Sequence, residues 1–102
     1  MQPFIQARQA ELAELCRRFH VLRLEVFGSA TRLDFDPARS DVDFLVEFEP
    51  KSPLMAMDQY FGLKEALEAL FLREVDLVEV SAIKNPYLRA GIDLSLETVY
   101  AA

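Results

Sequence analysis

The run Phe27-Gly28-Ser29, followed after eleven intervening residues by Asp41-Val42-Asp43-Phe44-Leu45-Val46-Glu47-Phe48, carries more information than any other part of the chain. Val42 to Phe48 alternates strictly. Val42, Phe44, Val46 and Phe48 fall on one face, and Asp41, Asp43, Leu45 and Glu47 share the other. That alternation predicts a strand with a buried side and an acidic side. Upstream, Val21 to Phe27 (VLRLEVF) is rich in β-branched and aromatic residues and closes at Gly28, which predicts a second strand. Residues 28–40 are polar, with a Gly, a Pro and several small residues, and read as a loop with a helical turn opening at Ser29.

Working outward, Ile5, Leu12, Leu15, Cys16 and Phe19 recur at helical spacing and predict one amphipathic helix from Pro3 to about Phe19. Glu49-Pro50-Lys51-Ser52-Pro53 ends the acidic strand. A long helix follows over Leu54 to Leu72, with Met57, Tyr60, Leu63, Leu67, Leu70 and Phe71 near helical spacing. Glu74 to Val80 (EVDLVEV) predicts a third strand. Asn85 is placed to cap a short helix with Pro86 in its first turn, and Gly91 weakens that helix towards Leu94. Glu97 to Tyr100 predicts a short last strand. The order α-β-loop-β-α-β-α-β points to an α+β fold, a mixed sheet flanked by helices, rather than repeated βαβ winding.

The 102 residues are 52% apolar and 27% charged, which fits a single domain over 1–102 with one core. No apolar run approaches the ~18 residues of a membrane span. The start Met1-Gln2-Pro3-Phe4 lacks the basic and apolar regions of a secretory signal, and the lone Cys16 suits a reducing compartment, so the expected location is cytoplasmic. Seventeen acids against eleven bases give a net charge of −6, the wrong sign for gripping duplex nucleic acid by its phosphates.

The chemistry-bearing residues are acids. Asp41 and Asp43, opening a strand, aim both carboxylates at one face with α-carbons about 6.5–7 Å apart. Neither has an obvious local cation in the sequence. Two carboxylates held together call for a positive partner. Mg²⁺ fits, because it prefers a few carboxylates plus phosphate oxygens over an all-protein cage. Asp76, in the otherwise apolar Val75-Asp76-Leu77-Val78, is the candidate third acid if its strand neighbours the second one. Such a cluster suits in-line displacement at phosphorus. Glu47 shares the acidic face and ranks behind Asp76 for that position.

Gly28 and Ser29 supply the anion side. Gly at a strand end permits close backbone approach, and amides opening a helical turn at Ser29 favour phosphate. Arg32, one turn later, can meet the same phosphates. No Walker loop is present. Each part has a blander reading alone. Gly-Ser is commonly a turn, Asp-x-Asp a solvated strand end, and Asp76 an edge acid paired with Lys or Arg. Their combination makes one geometric proposal.

Those residues carry a resemblance. Val26-Phe27-Gly28-Ser29-Ala30-Thr31-Arg32-Leu33-Asp34 with Arg39-Ser40-Asp41-Val42-Asp43, then Glu74-Val75-Asp76-Leu77-Val78 and Asn85-Pro86-Tyr87, resemble the minimal nucleotidyltransferases of the DNA polymerase β-like superfamily. Many of these are the antitoxin half of HEPN/MNT toxin–antitoxin pairs. The resemblance implies a polymerase β palm-like nucleotidyltransferase fold. It implies that Gly28 and Ser29 hold the nucleotide triphosphate, that Asp41, Asp43 and Asp76 bind Mg²⁺, and that Asp76 activates the acceptor hydroxyl. The loop between Ser29 and Asp41 is one residue longer than the family's usual spacing, which is cheap in closure entropy but leaves the loop contacts of Arg32 and Asp34 open.

The expected function is a Mg²⁺-dependent enzyme transferring AMP from ATP. Because the chain is too short for a second, acceptor-holding domain, the acceptor is expected on another protein. By resemblance, that partner is a HEPN ribonuclease toxin modified on a tyrosine. The alternatives are a non-catalytic antitoxin that blocks the toxin sterically, or transfer to a small molecule or RNA end. Of the remaining residues, His20 reads as a helix-end or surface residue and Cys16 as core. Met55, Met57 and Phe61 read as packing, with an exposed partner surface as the alternative.

Overall fold

A computed structural model of the protein describes residues 2–28, 41–93 and 96–102. Among these the elements run α1 (Pro3–Gln6), α2 (Gln9–Arg18), β1 (Val21–Phe27), β2 (Val42–Phe48), α3 (Ala56–Phe71), β3 (Val75–Glu79), α4 (Pro86–Asp93) and β4 (Glu97–Ala101), with a 3-10 turn at Val80–Ala82. The strands form one sheet in the order β3-β2-β1-β4. β1 is antiparallel to both β2 and β4, whereas β2 and β3 are parallel. A parallel pair needs a crossover, and the 16 residues of α3 provide it. The mixed α+β sheet expected from the sequence is the observed one.

Helices α1 to α3 share one face of the sheet. Ile5, Leu12 and Cys16 from the N-terminal helices and Leu63, Leu67 and Phe71 from α3 pack on Leu24, Val26, Val42, Phe44, Val46, Val75, Leu77 and Val99. The rings of Phe44 and Phe71 stack with centroids 6.0 Å apart. Asn85 caps α4 as expected, its side-chain oxygen accepting a bond from the Tyr87 N–H at 2.9 Å. No helix among the described residues is long and apolar enough to cross a membrane.

Two expectations are corrected. The single N-terminal helix is two, because Arg8 leaves helical geometry (φ −111°, ψ 18°). Ala7 N–H bonds back to Pro3 O, and Leu12 N–H restarts the ladder on Arg8 O. Both segments reach the core, since Ile5, Leu12 and Cys16 are all fully buried. The second correction concerns α3. Its buried stripe is Gln59, Leu63, Leu67 and Phe71, whereas Met55, Met57 and Phe61 are 74%, 71% and 51% exposed and do not serve as packing. Two contacts set this rotation. A Cβ at Gly62 would lie 2.5 Å from the Phe19 ring, so only glycine allows that approach. The Gln59 amide donates to Phe19 O at 2.8 Å, satisfying a carbonyl at the end of α2.

Candidate active site

The parallel register of β2 and β3 sets Val42 beside Val75, Asp43 beside Asp76, and Phe44 beside Leu77. Residues level with each other in a parallel pair send their side chains to the same face. The two apolar pairs enter the core. The acid pair between them therefore faces the other side. The carboxyl groups of Asp43 and Asp76 lie within hydrogen-bonding reach of each other. Burial, hydrogen bonding to Asp76, and the charges of Asp76 and Asp41 push the Asp43 carboxyl up to about 6. Asp43 keeps its proton to a higher pH because a second carboxylate beside it, without a counter-ion, disfavours the charged form.

Asp41 stands just ahead of β2, exposed, and acts on Asp43 through its charge. Among the described residues no three acidic, histidine or cysteine side chains gather into one metal-sized cluster. The expected three-acid convergence is thus a close pair with a third charge at the strand entrance. The donor set still fits a hard divalent cation, which needs few protein carboxylates when phosphate oxygens and water complete its shell.

Gly28 sits against this pair. Phe27 is level with Asp43 across β1 and β2, and Gly28 then turns into the left-handed region at φ +70°. A Cβ there would lie 2.6 Å from Asp43 Oδ2. Glycine is required twice, by conformation and by the carboxylate over it. Ser29, Arg32 and Asp34, and the helical turn expected at Ser29, lie outside the described residues.

The acid pair opens into a cleft of about 370 Å³ whose walls include Phe27, Asp43, Asp76, Tyr60, Lys64 and Leu77. Sequence reading did not single out Lys64 and named Tyr60 only for its helical spacing. The signal was there in the spacing Tyr60, Lys64, Glu68, one face of α3 at every fourth residue. Tyr60 donates its hydroxyl to Leu77 O. Glu68 Oε2 accepts the Val75 N–H at 3.2 Å and lies 3.6 Å from Lys64 Nζ. Larger hollows exist elsewhere. One of about 660 Å³ between α2 and α3 is lined by Ala10, Leu15, Ala66 and Leu70 among others, and one of about 440 Å³ takes in Glu47, Glu79 and Ser81. Neither contains the Asp43–Asp76 pair, so size does not identify the reactive site here. Glu47 lines the second of these, which supports ranking Asp76 ahead of it.

Cys16 is core, as expected: burial pushes its thiol up to about 12 and keeps it protonated and unreactive. His20 ends α2 at φ 56°, with Nδ1 3.7 Å from Glu49 Oε2.

A family model described as a nucleotidyltransferase domain matches residues 11–95, which span Gly28, Asp41, Asp43 and Asp76. The chain belongs to the nucleotidyltransferase domain family. Protein adenylyltransferase MntA of Thermococcus cleftensis is 42% identical over 76 residues, covering 74% of this chain and 73% of that protein. A solved structure described as a candidate minimal nucleotidyltransferase superposes with a TM-score of 0.69 at 32% identity, over 90% of this chain and 89% of that one. A chain from the complex of tri-AMPylated Shewanella oneidensis HEPN toxin with MNT antitoxin shares the fold at a TM-score of 0.65 and 17% identity, covering 96% of this chain and 73% of that chain. This nucleotidyltransferase accordingly has the sheet and helices of the minimal nucleotidyltransferases.

Proposed function

We propose that this nucleotidyltransferase is an antitoxin that transfers AMP from ATP to a tyrosine hydroxyl of a HEPN ribonuclease toxin, using Mg²⁺. The observation that carries the chemistry is the Asp43–Asp76 pair, level with each other on neighbouring strands and open to a cleft. The partner is supported by the AMPylated HEPN toxin in the complex whose chain shares this fold and by the relative named a protein adenylyltransferase.

In this reading Asp41, Asp43 and Asp76 would hold magnesium, which when bound supplies positive charge to the phosphate oxygens and keeps the carboxylates ionised. Gly28, Ser29 and Arg32 receive the phosphate chain. Asp76 accepts the proton of the tyrosine hydroxyl while that oxygen bonds to the α-phosphorus, the bond to the β-phosphate breaks, and pyrophosphate leaves. The acceptor arrives on the partner protein, and a tyrosine near the ribonuclease site carries the modification that silences it.

The test is to incubate the protein with ATP, Mg²⁺ and the HEPN protein encoded beside it, then weigh the HEPN protein. A gain of one or more AMP units is expected with the wild type and none with Asp41→Asn plus Asp43→Asn. Inhibition that survives the double substitution with no mass gain establishes steric blocking instead. Modification of a small molecule or RNA end without a protein partner overturns the choice of acceptor.

A further inference from the structure

The geometry points to Lys64 as a phosphate-binding residue of the cleft, reaching the nucleotide's phosphate chain from the α3 side. This deepens the proposed function and rests on it. The placement follows from two hydrogen bonds. β3 is an edge strand, and its outward groups are met by one face of α3: Tyr60 donates to Leu77 O, and Glu68 accepts from Val75 N–H. Lys64 lies midway between Tyr60 and Glu68 on that face, as Asp76 lies midway between Leu77 and Val75 on the strand. The row closes an edge that would otherwise invite another strand, and it places Lys64 at that edge, on the rim of the cleft that Asp76 also lines.

Among the described residues that line the cleft, Lys64 alone is cationic. Its ammonium rests 3.6 Å from Glu68 Oε2, an oxygen already engaged with the Val75 N–H, and its side chain is 33% exposed. Its partner in the structure is Glu68. A helical Lys–Glu pair four residues apart is common and weakly stabilising by itself. Here its glutamate is anchored to the strand that carries Asp76, so the ammonium is delivered to the cleft rather than to open solvent. An ammonium binds phosphate as a point charge, and a triphosphate entering between two aspartates needs one.

The test is isothermal titration of the whole protein with ATP, and separately with adenosine, in Mg²⁺ and without acceptor protein. Lys64→Met is expected to weaken ATP about tenfold and leave adenosine unchanged, and Lys64→Arg to recover most of the loss. Glu68→Gln, which keeps an acceptor for Val75 N–H while releasing the ammonium, is expected to bind ATP as tightly as the wild type or more so. If Lys64→Met does not fold, Lys64→Gln takes its place with the same expected loss. ATP affinity within twofold of wild type in the folded variant, or an equal loss for adenosine, overturns the role of Lys64 and leaves the proposed function standing. A wild-type protein that binds no ATP overturns both.

Discussion

The two faces of the β2–β3 pair differ by one residue in register and are opposite in purpose. On one face Val42 meets Val75 and Phe44 meets Leu77, all buried among the helices. Between those pairs Asp43 meets Asp76 on the other face, where like charges stand side by side. The apolar face supplies stability by removing side chains from water. The acidic face costs stability until something positive joins it. A rigid scaffold is what lets the costly arrangement persist, which is the usual relation between a site and the fold beneath it.

Substitutions on the two faces should therefore separate activity from stability. Asp43→Asn or Asp76→Asn should lower AMP transfer at least about a thousandfold while the protein stays folded, since in the proposed function these carboxylates hold the metal and its charge is worth several kcal/mol in the transition state; radiolabelled transfer and circular dichroism on the same sample check this. Phe44→Ala, one residue away on the other face, should cost about 3–5 kcal/mol of stability, read by urea denaturation. Loss of activity without loss of stability there would break the division. Gly28→Ala joins the two effects. Its methyl would occupy space 2.6 Å from Asp43 Oδ2 at a left-handed φ, so about 1–2 kcal/mol of stability and about 10–100-fold of activity should be lost together.

The smallest effect sharpens the comparison further. The folded Asp43 carboxyl is raised from its ordinary 3.8 to about 6. The fold therefore holds that proton more tightly than the unfolded chain does. The resulting stabilisation is full below pH ~4 and is lost as the pH rises through about 6. Asp43→Asn, which carries no such charge, should melt close to the wild type at pH 4 and a few degrees above it at pH 7.5 without divalent metal. Added Mg²⁺ should narrow the gap by stabilising the wild type alone.

The sequence announced the strands well because both kinds of alternation were local. Val42 to Phe48 shows its two faces without help from any partner, and the Asn85 cap is a contact two residues long. The break at Arg8 was not legible, because Ile5, Leu12 and Cys16 keep a plausible helical spacing across it and only packing reveals that each segment meets the sheet separately. The face of α3 was misjudged for a related reason. Met55, Met57 and Phe61 look more like core than Gln59 does, yet Gln59 is the buried one because its amide satisfies the end of α2. In the site, Asp43 and Gly28 were legible from their motif. Asp76 was legible as an acid in an apolar strand, on the condition that its strand neighbours β2, and the parallel register meets that condition. Lys64 shares an every-fourth-residue face with Tyr60 and Glu68, but that this face runs along the edge of β3 is a tertiary fact.

The most direct test of the central claim is a carbon-detected NMR titration of the Asp43 carboxyl in metal-free protein, wild type beside Asp76→Asn. The pairing across β2 and β3 predicts a wild-type midpoint near 6 that falls towards the ordinary carboxylate range once Asp76 is neutralised, and a lower wild-type midpoint again when Mg²⁺ is added. A wild-type midpoint near 4, unmoved by the substitution and by the metal, would contradict it.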